Sequence, residues 1–327
     1  MEHPELKHPH DRLARHFLCN PELMVELLQL YLKNLDDQQM IALLDLTRLV
    51  CSDPVTVSDR LVEGRGDLQV TTAFKGSGRE AGVYLFFEHQ SAKDSNFRLR
   101  GLNFIIQKYN KFWEITRGRE KFPYPIVLLL YHGTTPWEHV PTMDEMIEIV
   151  PGVKTGLLDY TLIFIDISPL TQEDFVGHPV LQVVLEMLQL ASKGELATNL
   201  DRVMARLKSV SDDPQIYNWL STFAQYVLST TTLEREQVAT TFSQAISKEG
   251  VYDMVMTTAE KLLVQGETKG KTEQGRSMVL RALQEKFKMV PEDIARAINQ
   301  KSDPIVLESL LAQVIGSNSL EDFAEGL

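Results

Sequence analysis

Two short apolar runs, DLQVTTAF (67–74) and GVYLFFEHQS (82–91), are dense in β-branched and aromatic residues and flank a Gly-rich KGSG turn. That pattern predicts neighbouring strands joined as a hairpin. Upstream, Leu13, Phe17, Leu23, Leu27, Leu28 and Tyr31 recur at helical spacing, interrupted at Asn20-Pro21, where a second helix should begin. Residues 36–47 predict another short helix, and SDPVTVSDRLVEGRG (52–66) a loop or edge strand running into Asp67. Asp94 to Trp113 reads as a helix. PIVLLLY (125–131) is too uniformly apolar for an edge and predicts a buried strand, and TLIFIDIS (161–168) predicts a further one. Helix, strands, helix, strand is the order of an α/β fold with a mixed sheet.

From His178 the pattern changes. QVVLEMLQLAS, LDRVMARLKSV, IYNWLSTFAQYVL and VYDMVMTTAEKLL predict amphipathic helices with short connections, and strand patterns nearly vanish. GETKGKTEQGRSM (266–278) is polar, with glycines at 266, 270 and 275, and predicts a solvated linker or a frayed helix. MVLRALQEKF, PEDIARAIN, DPIVLESLLAQVIG and SLEDFAEGL predict a small helical unit. The expected organisation is an α/β domain over 8–200, a helical extension over 201–265, a linker over 266–278 and a helical unit over 279–327.

Composition adds bounds. With 327 residues, 43% hydrophobic and 24% charged, the chain has ordinary globular content and room for two domains. No apolar run approaches the eighteen or so residues of a membrane span, and MEHPELKHPHDR has no signal-peptide core. Cys19 and Cys51 form neither a framework nor a metal spacing, so reduced thiols in a cytoplasmic setting are expected. The net charge of −12 argues against a DNA-coating protein. Residues 93–121 nevertheless hold eight lysines and arginines against three acids, a local +5 that leaves −17 on the remainder.

Chemistry concentrates near the hairpin. Glu88 and Gln90 lie two apart, so on a strand they share one face while His89 points to the other. A carboxylate at Asp67 facing this Glu-x-Gln would make an oxygen-rich pocket of the type magnesium prefers, whereas solvated strand-edge acids are the plainer account of so short a pattern. On the 94–113 helix, Asn96, Arg100, Asn103, Gln107 and Lys111 share one face, opposite Leu102, Ile105, Tyr109 and Phe112. That stripe is either a solvated surface or a phosphate-facing one. Arg98 falls on the apolar side and must snorkel out or pair with an acid. His3, His8, His10 and His16 lack a ligand pattern and read as solvated. His132 reads as a buried, hydrogen-bonded histidine at a strand end, and Trp137 and Trp219 as core or surface aromatics.

HPHDRLARHFLCNPELMVELLQLYL, FFEHQSAKDSNFRLRGL and PIVLLLYHG follow one another in order. Together, over residues 8–200, they resemble the Rpn family, the recombination-promoting nuclease and transposase group within the PD-(D/E)XK nuclease superfamily. The resemblance implies a PD-(D/E)XK-type mixed-sheet core followed by an all-helical C-terminal region. It implies a DNA endonuclease hydrolysing phosphodiester bonds with Mg2+ or Mn2+, linked to recombination or mobile-element processing. The family's first carboxylate and its Glu-x-Gln fall on Asp67, Glu88 and Gln90, with Gln in place of the superfamily's Lys. Asp11, near the acid that the superfamily often brings from its first helix, is a further metal-ligand candidate and equally a helix N-cap. Arg98, Arg100, Gln107 and Lys111 become the DNA-contact candidates. Two departures stand out: Gly66-Asp67 replaces Pro-Asp, and Thr71-Thr72 follows where the family shows larger residues. The alternative is a catalytically idle nuclease fold that binds DNA or assembles. The helical half would pair two copies into a homodimer or pack upon itself.

Overall fold

The computed structural model describes residues 9–52, 68–76, 83–148, 159–324 and 326–327, with backbone alone for 52, 68, 69, 83–90 and 265. Asp67 and most of the 52–66 segment lie outside these residues. The chain opens with α1 (Pro9–Leu18) and α2 (Pro21–Leu30), separated where Asn20-Pro21 predicts. Asn20 Oδ1 accepts the Glu22 and Leu23 N–H groups at 2.9 and 3.4 Å, which satisfies donors that the first helical turn leaves orphaned.

After α3 (Leu35–Ala42) comes β1 (Leu44–Ser52), where the sequence pattern predicts helix as far as residue 47. Local side-chain bonds work against the helix there, since Asp45 Oδ1 accepts from Thr47 N and Thr47 Oγ1 at 3.3 and 2.6 Å. The segment instead pairs antiparallel with β2 (Leu68–Phe74), which pairs antiparallel with β3 (Val83–Gln90) in the predicted hairpin. Both threonines of the departing Thr71-Thr72 bond to β1: Thr72 Oγ1 donates to Asp45 O at 2.5 Å and Thr71 Oγ1 to Val50 O at 3.5 Å. Small hydroxyls therefore replace larger side chains to tie down an edge strand.

Helix α4 (Phe97–Thr116) leads to β4 (Pro125–Tyr131), parallel to β3. A single turn, α5 (Met143–Met146), precedes β5 (Thr161–Asp166), which lies parallel to β4. The sheet order is β1-β2-β3-β4-β5. Ile126 to Tyr131 are all buried, as expected of a strand covered on both faces. Val127, Leu129 and Tyr131 pack with Phe97 and Ile105 of α4, together with Trp137, Val140 and Tyr160.

Helices α6 (Pro179–Lys193), α7 (Leu196–Ala205), α8 (Ile216–Thr230) and α9 (Arg235–Ala245) follow; α9 has no counterpart in the sequence reading. They belong to one compact unit, His8–Val255, so the boundary expected at 200 is not a structural one. The reason is packing: Phe17 of α1 stacks on Phe223 of α8 at 4.6 Å. Buried Glu186 of α6 is held by Arg202 and by Arg206, the latter at 2.7 Å.

The last unit takes in Met256–Leu327. Here α10 (Val251–Phe287) is helical through 266–278, where a linker or a frayed helix is predicted. Gly275 is a seat for another helix, since a Cβ there would lie 2.9 Å from Leu307 Cβ. Thr272 Oγ1 and Arg276 Nε donate to the Ser302 and Lys301 carbonyls at 3.0 and 2.8 Å. α11 (Glu292–Gln300), α12 (Pro304–Gly316) and α13 (Leu320–Ala324) close this unit around Val279, Leu283, Ile298, Leu307 and Phe323.

Cys19 and Cys51, expected as unpaired thiols, form a disulfide with Cα atoms 5.4 Å apart. It joins the α1–α2 junction to β1, a proximity invisible while β1 is read as helix and loop. Among the described residues, no helix is long and apolar enough to cross a membrane.

Candidate active site

The sheet switches from antiparallel to parallel pairing at β3, the strand that carries Glu88 and Gln90. Glu88 pairs with Leu129 and Gln90 with Tyr131 on the β4 side. On the β2 side Leu68 pairs with Phe87. In the chain Asp67 precedes Leu68 and Glu88 follows Phe87. Asp67 and the side chains of Glu88 and Gln90 lie outside the described residues, so the register is what the structure contributes here. Among the described residues no cluster of His, Cys, Asp and Glu is arranged to hold a metal ion.

Helix α1 packs against β3 and against α6 and α8. Asp11 stands in its first turn, where a carboxylate complements the positive end of the helix, and its Oδ1 lies 3.0 Å from Arg15 Nε. His10, expected in solvent, turns inward: its Nδ1 is 2.7 Å from the Tyr226 hydroxyl and its ring 5.3 Å from that of His132. Burial pushes the Tyr226 phenol well above its ordinary range, so it remains a neutral hydroxyl against the imidazole. His132 is fully buried with Nδ1 2.8 Å from Ser192 Oγ, as its strand-end position predicts.

The YHG corner abuts the end of β3. A Cβ on Gly133 would fall 2.8 Å from the Ser91 carbonyl, one residue beyond Gln90, so the glycine permits this close approach. The Tyr131 hydroxyl donates to Thr135 O at 2.9 Å. Sequence reasoning passed over Asp166, at the end of β5 and paired with Tyr131. Its carboxylate accepts the Trp137 and Ser168 N–H groups at 2.9 and 2.8 Å and fixes the loop after β4. An acid ending an apolar strand, in TLIFID, was the available signal.

On α4, Arg98 is buried and spends its donors inside the domain. Nη1 lies 3.3 Å from Asp159 Oδ1 and 3.1 Å from Tyr160 O, Nε lies 3.3 Å from Pro141 O, and the guanidinium sits 5.0 Å from the Tyr160 ring. Pairing with an acid is thus the outcome for Arg98, and in this arrangement it anchors the helix. Asn96, Arg100, Asn103 and Gln107 are exposed and Lys111 is half-buried, so the predicted polar stripe faces outward. Arg100 Nη2 lies 3.3 Å from Asp94 Oδ2.

No solved structure matches the chain. A family model described as "Putative transposase, YhgA-like" matches residues 8–216, from α1 through the whole sheet to the start of α8. The chain therefore belongs to the YhgA-like transposase family, the Rpn group of PD-(D/E)XK type, whose functions are transposition- or nuclease-related.

Proposed function

We propose that the protein is a divalent-metal-dependent DNA endonuclease, with Asp67, Glu88 and Asp11 as metal ligands and Gln90 beside them. The observation that carries this reading is the β2–β3 register, in which Leu68 and Phe87, the chain neighbours of Asp67 and Glu88, are partners. α1 packs on the same β3 strand and brings the helix that carries Asp11. The order of helix, antiparallel strands, helix and parallel strand agrees with a PD-(D/E)XK core.

Carboxylates and a carboxamide oxygen are hard donors, which fits Mg2+ or Mn2+. Such an ion supplies a bound water of lowered pKa and charge neutralisation at the scissile phosphate. Gln90 cannot act as a base, because a carboxamide does not titrate at any accessible pH. It can orient the attacking water or donate to a phosphate oxygen. Where the superfamily places a Lys, this chain contributes no positive charge, so slow turnover is expected. Arg100, Gln107 and Lys111 lie outward on the helix that follows β3 and would meet the DNA backbone. Strand transfer differs only in the nucleophile, a 3′-hydroxyl in place of water.

Incubation of supercoiled plasmid with the protein in magnesium, manganese or EDTA tests the proposal. Nicked or linear product with either metal and none in EDTA is the expected result. The net charge of −12 and the missing lysine favour a second reading, an idle nuclease fold that binds DNA. Plasmid left intact in both metals, yet bound, would decide for it.

A further inference from the structure

The far end of α4 carries a surface that the cleavage reading draws on only at Lys111. Phe122 stacks on Tyr109 with ring centroids 4.5 Å apart, and Trp113 stacks on Phe122 at 6.1 Å with 28° between the planes. Trp113 is 55% exposed and Phe122 44%. The turn between them is built for this arrangement. Arg117 and Gly118 both take left-handed backbone, φ 50° and 68°, and a Cβ on Gly118 would collide with the Trp113 ring. Only glycine lets the chain return beneath the indole and present Phe122.

The segment that carries these rings is net positive. Lys108, Lys111, Arg117, Arg119 and Lys121 face two acids, Glu114 and Glu120, on a chain that is otherwise strongly acidic. Burial, and after it the neighbouring Lys111, holds the Lys108 ammonium below its ordinary pKa. A partner that complements this net positive charge must be anionic, and one that covers the rings must be flat and apolar. Unpaired nucleic acid has both properties in every nucleotide, whereas a paired duplex hides its base faces. About 24 Å of helix separates Phe97, just beyond the β3 edge, from Trp113, at 1.5 Å per residue. The surface is thus apart from the proposed cleavage site.

We propose that the Trp113–Phe122 surface binds single-stranded nucleic acid, with bases stacking on the exposed rings and phosphates meeting Lys111, Arg119 and Lys121. The binding needs no metal and does not depend on the cleavage reading.

Trp113 provides its own reporter, because Trp137 and Trp219, the other two tryptophans, are buried. Full-length protein in EDTA is titrated with an oligothymidine of about 20 nucleotides, longer than the ~4–16 nucleotides that one such groove spans. Binding should quench the wild-type emission and raise the anisotropy of an end-labelled oligothymidine, and the anisotropy reads the variants that lack Trp113. Trp113→Ala should weaken binding about tenfold or more, the loss of one base stack, and Trp113→Phe should largely restore it. Arg119→Glu with Lys121→Glu should weaken binding and flatten its salt dependence. A blunt duplex of the same length should respond little to Trp113→Ala. Oligothymidine affinity unmoved by Trp113→Ala would overturn the proposal. So would a change of mass in light scattering without a change in binding, which would make the surface a contact between copies. Circular dichroism of each variant checks the fold.

Discussion

Glu88 and Gln90 are two residues apart on β3, yet one is a carboxyl that can ionise and the other a carboxamide that never charges. If Glu88 holds a metal, Glu88→Ala should abolish divalent-dependent cleavage. Removing one of two neighbouring carboxylates also relieves repulsion, so the metal-free melting temperature should hold or rise slightly. Parallel plasmid and melting assays check both, and a variant that still cuts like the wild type removes Glu88 from the site. Tyr31 offers a test of the scaffold. Burial is the main cause that pushes its phenol from 10 up to about 12, while its hydroxyl donates to Val176 O and accepts from Val176 N at 2.8 and 2.9 Å. The folded pKa lies above the unfolded one, so its contribution is full below about pH 10 and is lost as pH rises toward 12. Tyr31→Phe should cost about 1–2 kcal/mol at neutral pH and flatten the alkaline loss, read from melting curves between about pH 7 and 11. At this scale the sequence was least legible where partners are distant. His10 looks solvated because Tyr226 is 216 residues away, and Thr71-Thr72 looks like a packing defect until β1 is seen beside it.

The hairpin, α4, β4 and β5 were legible because each carries its own period and its own stops. Strand β1 was not, since Met40 to Leu44 continues a helical spacing, and the Asp45–Thr47 bonds together with pairing to β2 make the segment extended. Gly275 reads as a breaker in sequence, yet in the structure it is where α12 touches α10. Gly275→Ala should destabilise the C-terminal unit by about 1–2 kcal/mol, because crowding against Leu307 outweighs the better helix propensity of alanine. Gly270→Ala, which meets nothing within 4 Å, should instead stabilise it by about 0.5–1 kcal/mol. Urea denaturation of the two variants gives opposite signs if this account of α10 is right. The polar stripe of α4 has an element-scale test as well. Replacing Arg100 and Lys111 together by alanine should reduce the log–log salt slope of duplex affinity by about 1.8, from roughly 0.9 per phosphate contact. An unchanged slope would return the stripe to plain solvent exposure.

For the whole molecule, a charge of −12 gives weak long-range steering toward DNA, so the proposed DNA binding would rest on local contacts such as those along α4. The core from α1 to β5 could be anticipated from its order of elements. That helices up to Val255 complete the same unit could not, because the Phe17–Phe223 stack joins α1 to α8, far apart in the chain. Cutting both strands of a duplex takes two sites or one used twice, and a cyclic dimer is the simplest supply. On α12, Ile305 and Ile315 are each 74% exposed. Light scattering should give a dimer at micromolar concentration. A monomer would predict nicking without double-strand breaks. Metal-dependent cleavage where β2 begins and β3 ends is open to a single comparison. Supercoiled plasmid is incubated in magnesium with wild-type protein, Asp67→Asn or Glu88→Gln, and with wild-type protein in EDTA. The account predicts conversion by the wild type in magnesium alone. Equal rates for the wild type and either variant, or cleavage that persists in EDTA, would contradict it.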